Sequence, residues 1–389
     1  MVLDFRNANT LCTSIFVHTL ARVGLKLAVL CPGSRCTPLT VAFAAHPEIE
    51  ALSILDERSA AFFALGHAKQ TGRPVVLVCT SGTAGANFYP AIIEAHYAHV
   101  PLLVLTGDRP PELRHCHAGQ TIDQLKLYGN YPNWQAELAP PIASLDAASY
   151  WRQMALQAWR SCYQPHAGVV HLNLPFRDPL APIAQPEVTD LEFQIDPETF
   201  FTHCQPHIPH PTSQPVQLPP IPTHRGIIIA GLAQPSEPEA YCQGVAQLAT
   251  QLNYPVLAAG LSPVRNWTGL NPYLITQYEG ILRDRTHAKT LAPQLVIQLG
   301  ELPTSKVLKQ WLVQIQPQRW IIAPYPENFD PIHGPSQHFM SSIEQGLTPL
   351  TKGGRGDDKE QYWQQWQTLE HTCRQTLNAT IAPISSLFE

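Results

Sequence analysis

The sequence predicts an α/β protein built from two doubly wound parallel-sheet domains joined by a Pro-rich linker. Three observations lead there. Residues 1–180 alternate short β-rich apolar runs with helical patterns, and the same alternation returns at 225–345. Between them, 181–224 loses its periodicity and fills with proline; the 38 prolines of this 389-residue chain are about twice the usual share. Apolar runs bounded by Gly, Pro and Ser, with helices between, mark strands buried on both faces of a parallel sheet.

In the first block, strands are predicted at Leu27–Cys31, Ile54–Leu55, Val75–Cys79, Leu102–Thr106 and Val169–Leu174, with helices over 9–23, 58–70, 85–98 and 145–162. The linker reads as extended, with Phe200-Phe201 expected to pack on a domain surface. The second block predicts strands Gly226–Ala230, Pro255–Ala259, Leu295–Leu299 and Trp320–Ala323, and helices over 237–252, 274–285 and 304–314. Gly231 follows a strand as a nucleotide loop would, but without G-x-G-x-x-G spacing it reads as a structural turn. Residues 346–389 read as a polar Gly-rich loop and a helix over 359–381, leading toward a third domain expected to be missing.

Charged residues are sparse at 14%, and the net charge of −5 gives no basic field for nucleic acid or anionic lipid. No apolar run approaches the roughly 20 residues of a membrane span, and the first residues lack the order of a signal peptide. The nine cysteines contain no C-x-x-C pair, which argues against a disulfide framework or a zinc site. The 17 histidines read as surface or loop residues, so no metal ligands are predicted. These observations together predict a soluble cytoplasmic protein.

Four segments carry chemistry, each at the carboxyl end of a predicted strand, where open parallel sheets bind ligands. Pro32-Gly33-Ser34-Arg35 lets backbone approach a ligand and presents an arginine suited to a carboxylate. Asp56-Glu57-Arg58 opens a small-residue helix that runs through Ala60-Ala61 to Gly66-x-Ala68. Leu55, Ala60, Ala61 and Phe62 are expected to shelter Glu57 from water and raise its pKa. Thr80-Ser81-Gly82-Thr83 is a tight turn that would cradle a phosphate or admit a flat ring equally well. Thr106-Gly107-Asp108-Arg109, continuing to Gly119-Gln120, adds a second arginine, so a dicarboxylate or a pair of carboxylate-bearing ligands is expected.

The E-x₈-G-x-A helix, the TSGT turn and the strand Val169-Val170-His171-Leu172-Asn173-Leu174-Pro175 resemble thiamine diphosphate (ThDP)-dependent enzymes. Pro32-Gly33-Ser34-Arg35-x-Thr37-Pro38-Leu39 and Asp108-Arg109-Pro110-Pro111-Glu112-Leu113 resemble one family closely, the 2-succinyl-5-enolpyruvyl-6-hydroxy-3-cyclohexene-1-carboxylate synthases (the MenD family). The resemblance makes 1–180 a ThDP pyrimidine-binding-type domain and 225–345 a central domain. It implies decarboxylative carboligation of 2-oxoglutarate with isochorismate in menaquinone or phylloquinone biosynthesis, with ThDP and Mg²⁺ as cofactors (manganese as the alternative metal) and at least a homodimer when complete. Glu57 would activate the cofactor, with Pro32, Thr80 and Gly82 around it. Ser34, Arg35, Arg109, Gln120 and Lys306 would meet substrate, and Gly119 stands where some relatives carry asparagine. The family's diphosphate-Mg²⁺ site, a Gly-Asp-Gly or Gly-Asp-Ser strand end, has no counterpart in this reading; Gly356-Asp357-Asp358 is a poor substitute. The expectation is a truncated chain, inactive by itself, with a non-catalytic carboxylate-binding or regulatory paralogue as the alternative.

Overall fold

The computed structural model describes residues 3–202, 204, 218–223, 225–235, 237–345 and 357–385. The chain forms two compact units, Met1–His210 and Pro211–Glu389.

The first unit holds strands β1 (Leu27–Leu30), β2 (Glu50–Ser53), β3 (Val75–Cys79), β4 (Leu102–Asp108), β5 (Trp134–Glu137) and β6 (Val169–Pro175). They form one sheet in the order β2-β1-β3-β4-β6-β5, and every pairing is parallel. The central strands β1, β3, β4 and β6 are buried along their whole length, as their unbroken Val/Leu runs require. Helices cover both faces and make two cores. One gathers Phe16, Phe43, Trp151, Trp159 and Phe176; the other gathers Ala60, Ala61, Ala64, Phe88, Ile92 and Tyr128. Phe201 is fully buried and meets His18 edge-on at 4.7 Å between ring centroids.

The second unit is also a six-stranded parallel sheet, with a different strand order. Strands β7 (Gly226–Ala230), β8 (Val256–Ala258), β9 (Leu274–Ile275), β10 (Leu295–Leu299), β11 (Gln318–Ala323) and β12 (Ser336–Met340) lie in the order β12-β11-β10-β7-β8-β9. All pairings are again parallel. The long helix Asp357–Ser385 docks on this sheet through Tyr362 and Trp366. Its Glu370 carboxylate accepts the backbone N–H groups of Thr276 and Gln277, at 3.1 and 2.8 Å.

Two predicted elements are corrected. The strand expected at Ile54–Leu55 lies at Glu50–Ser53, paired with β1 in the register Leu27↔Glu50. It is an edge strand with half-exposed and exposed positions, so it lacks the apolar continuity that was sought, and Leu55 is 82% exposed in the following loop. The helix expected over 274–285 is instead β9 followed by helices Tyr278–Arg283 and Arg285–Thr290. Asp284 divides them because its side chain accepts the His287 N–H and caps the second helix. The helix Thr37–Ala45 and the edge strands β5 and β12 were not anticipated.

Gly231 closes the β7 turn against backbone. A Cβ placed there would lie 2.0 Å from the Glu301 carbonyl oxygen, which supports the structural-turn reading. Gly231→Ala should therefore destabilise the protein by about 1–3 kcal/mol. A denaturant midpoint equal to that of the parent would refute this account of the turn.

Candidate active site

The carboxyl ends of β1, β3 and β4 converge, and the chain has only bare backbone where they meet. A Cβ on Gly33 would fall 2.6 Å from Thr80 Cβ, and one on Gly107 would fall 2.8 Å from the Arg35 carbonyl oxygen. Gly82 adopts φ +85°, and a Cβ there would strike Gln120 Cγ at 2.9 Å. The three glycines set how closely the strand-end loops approach one another.

Arg35 sits buried in this cluster, 9% exposed. Its backbone N–H donates to Thr80 Oγ1 at 3.3 Å and its Nη1 donates to the Phe176 carbonyl at 2.8 Å. Burial, and then the like charge of Arg109, pull its pKa below the ordinary arginine value. Arg109 projects from the end of β4. Its Nη1 donates to Ser81 Oγ, and its Nη2 donates to the Gly119 carbonyl at 2.7 Å. Both acceptors are neutral. Gln120 completes the group by donating from Nε2 to the Ser81 carbonyl at 3.1 Å. Arg35, Thr80, Gly82, Arg109 and Gln120 are thus brought together, with Pro32 and Ser34 exposed on the turn that carries Arg35.

Glu57 begins the helix Glu57–Thr71, whose N-cap Asp56 accepts the N–H groups of Arg58 and Ser59. Helical spacing turns Ala60, Ala61, Ala64, Leu65 and Ala68 inward. The same spacing turns Phe62 and Phe63 outward, 50% and 45% exposed. The expected shelter is corrected accordingly: Leu55 and Phe62 face away from the unit, and Glu57 is half-buried. Its charge still reaches the strand ends. Burial raises the Cys31 thiol to about 12, and Glu57 adds to that rise.

Glu57 is a half-buried carboxylate at a helix start, while Gly33 and Gly82 pack against the Thr80 and Gln120 side chains. Glu57 could hold a pyrimidine nitrogen, with Pro32, Thr80 and Gly82 lining the ring. Asp108 does not fit a metal. Its Oδ1 accepts the Arg109 N–H at 2.7 Å, and its Oδ2 accepts from Asn173 Nδ2 at 2.8 Å and pairs with Arg114 at 3.1 Å. Gly356 lies outside the described residues, and Asp357 is the first residue of the last helix. Lys306 belongs to the second unit, where it starts the helix Lys306–Ile315 under the N-cap Ser305. A lysine at that end opposes the helix dipole.

Four residues that hold the site were not singled out from the sequence. Asn173 Oδ1 accepts from Gln124 Nε2 at 2.8 Å and from Thr106 Oγ1 at 3.0 Å, while its Nδ2 donates to Asp108 and to Glu137, at 2.8 and 2.9 Å. Gln124 Oε1 accepts the Gly82 N–H at 2.9 Å. Arg114 pairs with Glu137 at 2.7 Å as well as with Asp108. Burial raises the Asp108 carboxyl above its usual range, opposed by the Asn173 hydrogen bond and the Arg114 charge. The available signal was His171 and Asn173, polar residues inside an otherwise apolar strand.

His171 is buried behind this network, its Nε2 2.9 Å from Thr106 Oγ1, and burial pulls its pKa from 6.5 to about 3. Between these values the unfolded chain binds a proton that the folded chain does not, so stability is present above pH 6.5 and is lost as pH falls. His171→Gln should flatten that acid slope by up to about 1.4 kcal/mol per pH unit. Denaturant melts at several pH values check this, and an equally steep slope in the variant would count against it.

Comparison with known proteins shows the family. Residues 12–127 match the family "Thiamine pyrophosphate enzyme, N-terminal TPP binding domain", and 198–385 match "Middle domain of thiamine pyrophosphate". The chain is 56% identical to the 2-succinyl-5-enolpyruvyl-6-hydroxy-3-cyclohexene-1-carboxylate synthase of Microcystis aeruginosa, over all of this chain and 68% of the relative. Against the synthases of Rippkaea orientalis and Gloeothece citriformis, identities are 53% and 54%, again over the whole chain and over 66% and 68% of the relatives. The chain spans about two thirds of the length of the relatives it matches. On this evidence the chain belongs to the 2-succinyl-5-enolpyruvyl-6-hydroxy-3-cyclohexene-1-carboxylate synthase family of thiamine-diphosphate enzymes.

Proposed function

We propose that this chain carries the pyrimidine-side and substrate-side residues for decarboxylative carboligation of 2-oxoglutarate with isochorismate. The observation that carries the reading is the pair Arg35 and Arg109. Arg109 is close enough for its charge to act on Arg35, and the Arg109 guanidinium donates to neutral acceptors. Two neighbouring guanidinium groups without a carboxylate bonded between them favour anionic ligands. When bound, ThDP with Mg²⁺ supplies the electron sink for decarboxylation. Glu57 would hold the pyrimidine and share a proton with its ring nitrogen. Arg35 and Arg109 would orient substrate carboxylates, with Ser34 and Gln120 hydrogen-bonding beside them; for Lys306 the substrate-binding role is the one that the family resemblance implies.

A homodimer or larger assembly accompanies this reading. Leu55, Phe62 and Phe63 are exposed beside Glu57, and a second copy covering them would supply the shelter that a proton-sharing carboxylate needs. No helix among the described residues is long and apolar enough to cross a membrane, and all nine cysteines are free thiols. Both observations suit a cytoplasmic location.

Calorimetry of the chain with isochorismate tests the substrate reading. Saturable binding is expected, weakened at least about tenfold by Arg35→Ala or Arg109→Ala; equal affinity in both variants would remove the arginines from substrate binding. Glu57→Gln should leave isochorismate affinity within about twofold while weakening ThDP binding. Sedimentation tests the assembly: Phe62→Glu should shift the chain toward monomer, and an unchanged distribution would place the interface elsewhere.

A further inference from the structure

Arg109 has a carboxylate as its immediate neighbour in sequence and a second one beyond it, yet its guanidinium bonds to neither. Asp108 is 1% exposed and Glu137 is 29% exposed at the side chain. Both are linked to Asn173 Nδ2, at 2.8 and 2.9 Å. Two carboxylates sharing one amide donor at the base of an arginine loop would ordinarily draw that arginine down. The residue that meets them instead is Arg114. Its Nη1 lies 2.7 Å from Glu137 Oε2, its Nη2 lies 3.1 Å from Asp108 Oδ2, and its side chain is 14% exposed. Its Nε donates to the Arg109 carbonyl oxygen at 3.2 Å, so the same guanidinium also fixes the backbone from which Arg109 projects. The loop also carries the half-exposed ion pair Arg177–Glu112, which contributes little in water.

We propose that Arg114 is a positioning residue for Arg109: by engaging Asp108 and Glu137 together, it leaves the Arg109 guanidinium available to a carboxylate ligand. Without Arg114 the two acids are unpaired, and removing one partner from a buried ion pair leaves a strong uncompensated charge. Arg109 is the other guanidinium on this loop and turns toward them. The anionic ligand then loses its cation. Arg114 contributes both a charge and a fork that reaches the two acids and the Arg109 carbonyl, so lysine, which keeps the charge, should retain more of its effect than a neutral side chain. This inference rests on the carboxylate-binding reading of Arg109 given above.

The test is calorimetry of the full chain with isochorismate, with thermal melting alongside to confirm folding. Arg114→Met should weaken binding at least about tenfold, and Arg114→Lys should stay within about threefold of the parent. In an Arg109→Ala background, Arg114→Met should change affinity by less than about twofold, because it acts through Arg109. A purely structural role would instead multiply the two losses. Where Arg114→Met fails to fold, Arg114→Gln takes its place with the same expectations. Parent-like binding by the neutral variant, multiplied losses in the double variant, or a lysine variant as weak as the neutral one would each overturn the proposal. An unsubstituted chain that does not bind isochorismate would overturn the substrate reading itself and this proposal with it. That result is distinct from one in which the parent binds and Arg114 makes no difference.

Discussion

The Asn173 side chain uses all four of its hydrogen-bonding positions, and the site depends on that saturation. Its oxygen accepts from Gln124 and Thr106 while its nitrogen donates to Asp108 and Glu137. Through Gln124 the contact reaches the Gly82 turn, and through Asp108 it reaches the backbone N–H of Arg109. One buried amide therefore connects the Gly82 turn to the backbone of Arg109. In a low-dielectric interior such a network is stabilising only when every member is satisfied. Loss of one donor would leave several acceptors unpaired at once.

Around that network the site is shaped by backbone contact. Gly33 against Thr80, Gly107 against the Arg35 carbonyl and Gly82 against Gln120 leave no room for a methyl group. These contacts bring three loops from different strands to one place and leave Arg35 anchored by main-chain and hydroxyl partners. Arg109 is consequently oriented by neutral groups, Arg35 has Asp178 at 4.0 Å beside its neutral partners, and Asp108 and Glu137 are matched by Arg114 and Asn173. Low charge content makes this separation possible: with only 14% charged residues in the chain, few stray acids compete for the rim.

Much of this was legible in the sequence because it is local. Apolar runs gave β1, β3, β4, β6 and β10, and strand-end motifs placed Arg35, Thr80, Gly82, Arg109 and Gln120 on one rim. The failures have a common cause. The edge strands β2, β5 and β12 are half wet and read like loops, and Asp284 interrupts a helical pattern through a hydrogen bond that hydrophobic spacing does not register. Arg114, Gln124 and Glu137 are polar residues in polar stretches, and only tertiary folding reveals that they converge beneath Arg109. Lys306 was assigned by resemblance alone; its helix start is visible in the second unit, whereas its part in the site remains a proposal.

Glu57 shows where local reasoning reaches its limit. The sequence around it is apolar, and apolar neighbours ordinarily imply burial. In a helix, however, adjacent residues point in different directions, so Ala60 and Ala61 enter the core while Phe62 and Phe63 leave it. A carboxylate that shares a proton with a ring nitrogen needs a low-dielectric surrounding, and the unit provides only the inner half of one. On the outer side, large apolar side chains face solvent near Glu57, the group to which the proposed role would assign that need. Exposed Leu55, Phe62 and Phe63 would be a liability on an isolated domain; next to Glu57 they are consistent with a site completed by a second surface. The same few residues then account for both the half-buried carboxylate and the proposed assembly.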